Sequence, residues 1–242
     1  MPDRKRGESP GRQEHAESPR PGGLRSCLVR FLPALVLLCA LLAMLGPRMK
    51  YLVEHYLAII SQYNVGEQPA GDGLAPLFTA EVDHWAADIR RWAAEYGLDP
   101  QLVATVVQIE SCGDPRALSP AGAAGLLQVM PQHFAPGEDP FDPETNARRG
   151  LGVLVECLTS RHNPERDVGL AFACYNGGPS VFVTAWDYWP QQSRDYYIWG
   201  TGIYADAQAG ATSSEVLDRW LLAGGQRLCQ SARQTLGFPL AP

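Results

Sequence analysis

Lysine is almost absent: the 242-residue chain has Lys5 and Lys50 and none after them. The 11 arginines beyond residue 65 face 21 Asp+Glu, so residues 66–242 carry a net charge of −10. A body of that sign, without a basic stripe, excludes a nucleic-acid binder that grips phosphates. It equally argues against broad electrostatic capture of any anionic polymer. Regular strands separated by turns are missing, which argues against a sandwich or barrel. No Cys-x-x-Cys occurs, and His15, His55, His84, His133 and His162 are scattered, so no metal ligands are assigned and no cofactor is expected. What is present is apolar: 45% of residues are hydrophobic, only 19% are charged, and six are Trp. That composition supports a packed core, and the length suits one ordinary domain.

The head differs from the body. Residues 1–65 hold nine Lys+Arg and five Asp+Glu, a net of +4. Residues 1–26, rich in Pro, Gly, Ser and charge, cannot bury enough surface to offset the entropy of folding and are expected to be a disordered, cytoplasmic head. Residues 27–47 contain an apolar run from Phe31 to Gly46; with Cys27, Leu28 and Val29 it is about 20 residues, enough to span ~30 Å as a helix. Arg4, Lys5, Arg6, Arg12, Arg20, Arg25 and Arg30 precede the run, and only Arg48 and Lys50 follow closely. The positive-inside rule then predicts a single-pass anchor in the inner membrane, with the body periplasmic or otherwise extracytoplasmic. A cleaved signal and a buried core helix are the competing readings; no Ala-x-Ala follows the run. Residues 48–76 read as a membrane-proximal helix and a Gly/Pro linker.

The body, residues 77–242, is expected to be mainly α. Helical spacing covers Leu77 to Tyr96, with Gly97 as its stop. Asp99 and Pro100 open a second helix, almost apolar all round and therefore buried. Further helices are predicted over 142–160, 166–175, 180–188, 191–208 and 214–230. The short element Leu126–Met130 stops at Pro131.

The buried helix ends with one acid, Glu110. Burial and the negative helix end both favour its protonated form, the state a general acid needs. Glu110-Ser111 is followed by Gly125-Leu126-Leu127-Gln128-Val129-Met130-Pro131, then by Ala173-Cys174-Tyr175-Asn176-Gly177-Gly178, and then by a helix containing Tyr196. This ordered set, over about residues 77–207, resembles the soluble lytic transglycosylase family, whose catalytic domains have a lysozyme-like fold. The resemblance implies an enzyme that cleaves the β-1,4 bond between N-acetylmuramic acid and N-acetylglucosamine in peptidoglycan, leaving 1,6-anhydro ends.

It also implies roles. Glu110 would be the sole catalytic acid and base. Ser111, Gln128, Met130, Tyr175, Asn176 and Tyr196 would contact the substrate or the acid, with Tyr197 the rival to Tyr196. The helix from Asn146 to Leu158 would pack behind the site. A hydrolytic muramidase would need a second acid, for which Asp114 is the first suspect. A non-catalytic peptidoglycan-binding module is the third reading; protein partners stay open. Cys112, Cys157, Cys174 and Cys229 suit two disulfides in an oxidising compartment, with three pairings possible.

Overall fold

The computed structural model describes residues 73–239, all within one unit, Gln62–Pro242. The predicted head, membrane span and most of the linker lie outside those residues. Among the described residues, no helix is long and apolar enough to cross a membrane.

Among the described residues, eight α-helices follow in order: α1 Ala80–Asp83, α2 Ala86–Tyr96, α3 Pro100–Ser111, α4 Pro143–Leu158, α5 Val168–Gly177, α6 Gln191–Gln208, α7 Glu215–Trp220 and α8 Gln226–Thr235. Among the described residues, β-structure is confined to two isolated bridges, Leu118 to Ala124 and Ala124 to Val129. The helix starts are locally encoded. Asp99 accepts from the Gln101 N–H, Asp142 from Thr145, Asp167 from Leu170 and Ser214 from Leu217. In each case a side-chain oxygen takes up one of the amides that a helix leaves unpaired at its first turn. Pro100 and Pro143 sit just inside their caps, where a missing N–H costs nothing. Gly97 ends α2 in the left-handed conformation, φ 63°.

Helix α3 is the axis of the fold. Leu102 through Ile109 and Ser111 are all buried along it. It packs against α2 and α6, and more lightly against α1 and α8, while α5 lies between α4 and α6. The core it anchors includes Ile89, Trp92, Leu126, Leu127, Leu151, Leu154, Phe172 and Ile203. Glu144, in the first turn of α4, accepts from the Trp92 indole at 2.9 Å and pairs with Arg91, tying α4 to α2.

Three predicted elements take a different form. The helix expected over Leu77 to Tyr96 is two pieces, α1 and α2, because the chain turns at His84 and Trp85, where the Trp85 indole donates to the Gly113 carbonyl at 2.9 Å. The segment expected to be helical over 180–188 is two 3₁₀ turns, Pro179–Phe182 and Trp186–Tyr188. The helix expected over 214–230 breaks at Gly224, φ 135°, inside a π turn and continues to Thr235.

The disulfides pair Cys112 with Cys229 and Cys157 with Cys174. The first binds α8 to the end of α3. Around it, Arg233 pairs with buried Glu81 at 2.6 Å, Ser231 donates to Asp114 at 2.8 Å, and Phe238 meets His84 edge to face. Closing a loop of 117 residues removes more entropy from the unfolded chain than closing one of 17. Replacing both Cys112 and Cys229 by Ser is expected to lower unfolding free energy by about 2–5 kcal/mol in denaturant titration, with helix content retained below the transition.

Candidate active site

Glu110 occupies the last turn of α3, and the chain leaves the helix through Cys112 in the left-handed conformation, φ 53°. Glycine is the usual residue at such a stop. Here Cys112 is held by its disulfide and by its N–H on the Gln108 carbonyl. Ser111 is fully buried: its hydroxyl donates to the Leu126 carbonyl at 2.7 Å and accepts from the Gly113 N–H at 3.1 Å. Those bonds stitch the helix end to the following loop and commit the hydroxyl to backbone partners.

The loop through Gly125 to Met130 is a tight turn closed by mutual backbone bonds between Ala124 and Val129. Gly125 is obligatory there: it has φ 76°, and a Cβ would lie 2.3 Å from Asn146 Nδ2 and 2.8 Å from the Pro140 carbonyl. Gln128, at φ 45°, donates through Nε2 to the carbonyls of Ala117 and Gly125. That leaves its Oε1 as the side-chain group open to a ligand. Met130 is half-buried beside it. The short element expected over Leu126–Met130 is a turn held by side chains from elsewhere.

Helices α5 and α6 complete the site. Tyr196 is buried, and its hydroxyl is the one buried side-chain polar atom among the described residues without a hydrogen bond of ordinary geometry. It lies near enough to Glu110 for the two to interact. Tyr175 stacks on Tyr196, ring centroids 6.5 Å apart. Its hydroxyl donates to the Leu127 carbonyl at 2.7 Å, a backbone partner that the sequence did not suggest. Asn176 accepts at Oδ1 from Ser193, the buried hydroxyl that joins α5 to the start of α6. Tyr197 turns elsewhere, against Trp186 and Trp189, so Tyr196 is the late tyrosine that reaches Glu110. Asp114 is buried, with one oxygen on the Arg116 N–H and the other on Ser231.

These surroundings set the acid's chemistry. Glu110 is half-buried, so part of it is open to a substrate. The apolar packing around its carboxyl nevertheless raises its pKa from 4.5 to about 8, and the Tyr196 hydroxyl only partly opposes this. The same carboxyl, with burial as the larger cause, pushes the phenols of Tyr175 and Tyr196 well above their ordinary range. At neutral pH burial thus favours the protonated form of the acid, close to two neutral tyrosines. A second cluster, Glu81 with Cys112 and Cys229, brings three potential ligand atoms within 4.8 Å of one another. It is not a fit metal site, because its sulfurs are joined to each other and Glu81 is paired with Arg233.

Residues 88–197 match the family described as "Transglycosylase SLT domain". Over those residues the chain is similar to an SLT domain. The match begins in α2, ends just past Tyr196, and contains Glu110, the Gly125–Met130 loop, Tyr175 and Asn176. The chain is 42% identical over 96 residues to a "Transglycosylase" of Enterobacteria phage PRD1, which is 39% of this chain and 35% of that protein. It is 30% identical over 124 residues to an "Endo-type membrane-bound lytic murein transglycosylase A" of Klebsiella pneumoniae, 49% of this chain and 57% of that protein. The chain thus spans about a third to somewhat over half of the length of these relatives. The brace formed by α7 and α8 lies beyond the SLT match.

The raised pKa has a consequence for stability. The folded protein keeps the Glu110 proton up to about pH 8, whereas the unfolded chain releases it near 4.5. Between those values the unfolded state binds fewer protons, so this group makes stability fall as pH rises. Glu110→Gln removes the effect. Its melting temperature is expected to exceed that of the wild type by a margin that is small at pH 4.5 and grows up to pH 8; a margin independent of pH would contradict the assignment.

Proposed function

We propose that this protein is a membrane-anchored peptidoglycan lytic transglycosylase that cleaves the bond between N-acetylmuramic acid and N-acetylglucosamine with formation of 1,6-anhydro ends. The observation that carries the reading is Glu110 at the end of a buried helix, inside the SLT match, with Tyr196 and Tyr175 close enough to interact with it and with burial favouring its protonated form. Most glycosidases set two carboxyl groups across the scissile bond. Asp114, the nearest alternative in sequence, has both oxygens engaged, which supports a mechanism with a single acid.

In that mechanism the Glu110 carboxylic acid donates its proton to the leaving glycosidic oxygen as the bond to C1 breaks. The resulting carboxylate then takes the proton from the C6 hydroxyl of the same sugar while that oxygen attacks C1. No water is added, and Glu110 returns to its starting state. An attacking hydroxyl already tethered to the ring acts at high effective concentration, which is why one carboxyl group suffices. Gln128 Oε1, Asn176 and Met130 would bind the sugar rings. Tyr196 would donate to the carboxylate formed midway. Ser111 would act by fixing the helix end.

The anchor is the 27–47 segment, with residues 1–26 in the cytoplasm and the catalytic unit outside. Two disulfides suit an oxidising compartment, and the Klebsiella relative is by its name membrane-bound. With a net charge of −10 on residues 66–242, recognition of the glycan rests on hydrogen bonds and apolar walls.

Digestion of purified peptidoglycan followed by mass spectrometry of the muropeptides tests the reading. Anhydro ends are expected from the wild type, and reducing ends alone would refute it. Glu110→Gln is expected to lower turnover at least 10³-fold while leaving the fold intact. Because the acid must be protonated at the start, kcat/KM is expected to decline as pH rises through about 8.

A further inference from the structure

Two residues one turn apart on α4, Asn146 and Gly150, lie on the same face of the helix. Both are buried, and both meet the loop that crosses the site. Asn146 accepts from the Leu127 N–H at 2.8 Å and donates to the carbonyls of Ala124 at 2.7 Å and Pro140 at 2.9 Å. A Cβ on Gly150 would lie 2.7 Å from Leu127 Cβ and 3.0 Å from the Tyr175 hydroxyl. Leu127 is therefore held at its N–H by an amide and seated by its side chain in a space that only glycine leaves open. Its carbonyl accepts the Tyr175 hydroxyl at 2.7 Å.

A phenol has one proton to donate. If Tyr175 gave it to the Glu110 carboxylate, the charged form would be favoured and the acid weakened as a proton donor. We propose that Asn146 and Gly150 are positioning residues for the acid: they seat Leu127 so that its carbonyl holds the Tyr175 proton and withholds it from Glu110. The proposal rests on the reading of Glu110 as the general acid. Among the described residues, the titratable groups coupled to Glu110 are Tyr175, from α5, and Tyr196, from α6. Freeing Tyr175 would thus give the carboxylate a second phenol donor.

The test uses the full-length protein in detergent, purified peptidoglycan, and the alkaline limb of the kcat/KM profile. Gly150→Ala displaces Leu127 and Tyr175. It is expected to lower kcat/KM at least tenfold, since small misplacements at a reacting centre are costly, and to move the limb down by about one pH unit. Asn146→Ala loosens the loop from the other side and is expected to shift the limb in the same direction. Adding Tyr175→Phe to either variant is expected to restore the limb. Tyr175→Phe alone, whatever it does to the rate, is expected to leave the limb in place, because its proton is on Leu127; an upward move would overturn the proposal. So would an unmoved limb in a folded Gly150→Ala variant. The same midpoint can be read without substrate, from the pH dependence of the melting temperature of each protein against its Glu110→Gln counterpart. A wild type that yields no anhydro ends would sink the functional reading, while the melting curves would still decide whether Asn146 and Gly150 control the acid.

Discussion

The structure turns on one constraint: a carboxylic acid must sit among apolar atoms and still open to a substrate. Desolvation is what lifts Glu110 to a pKa of about 8, and desolvation requires neighbours on nearly every side. Helix α3 supplies them by being buried along its length. The acid is accessible only because the helix stops one residue later. The end of α3 is therefore where stability and chemistry meet, and much of the molecule is arranged to hold it.

Two sets of contacts do so from opposite directions. On one side, Ser111 ties the helix end to Leu126, and the loop that follows is hung from Asn146 on α4. On the other, α8 reaches back from the far end of the chain and is fastened at Cys112, Asp114 and Glu81. Arg233 and Glu81 form a largely buried ion pair, whose value depends on both partners staying together. The disulfide and the Ser231 bond beside it favour that geometry. The second disulfide, Cys157 to Cys174, joins α4 to α5 immediately before Tyr175. Both covalent links thus lie next to residues of the site, and both would be lost in a reducing compartment.

Charge plays a different part here from the one its total suggests. Some arginines of the body are engaged with local acids: Arg91 with Asp88, Glu95 and Glu144, and Arg148 and Arg149 with Glu138. Such exposed pairs add little stability, but they remove cations from service as a polyanion-binding surface. The site works through neutral groups at neutral pH, namely a protonated acid, two phenols and two amides.

Much of this was legible without coordinates. The cap at Asp99, the buried character of α3, the isolation of Glu110 and the full extent of α6 follow from residues within a turn or two of one another, because capping and helical periodicity are local. The neighbours that decide which hydroxyl is free are distant in the chain. Ser111 and Tyr175 were expected to reach the sugar or the acid, and both are bonded to carbonyls of the Gly125–Met130 loop. Cysteine pairing, the break at Trp85 and the 3₁₀ turns of 179–188 likewise depend on long-range packing. By itself the sequence determined most helix starts and the single acid at the end of the buried helix; the tertiary structure alone decided where helices break and which polar groups around that acid remain unbonded, because a hydrogen bond is settled by distance and not by order along the chain.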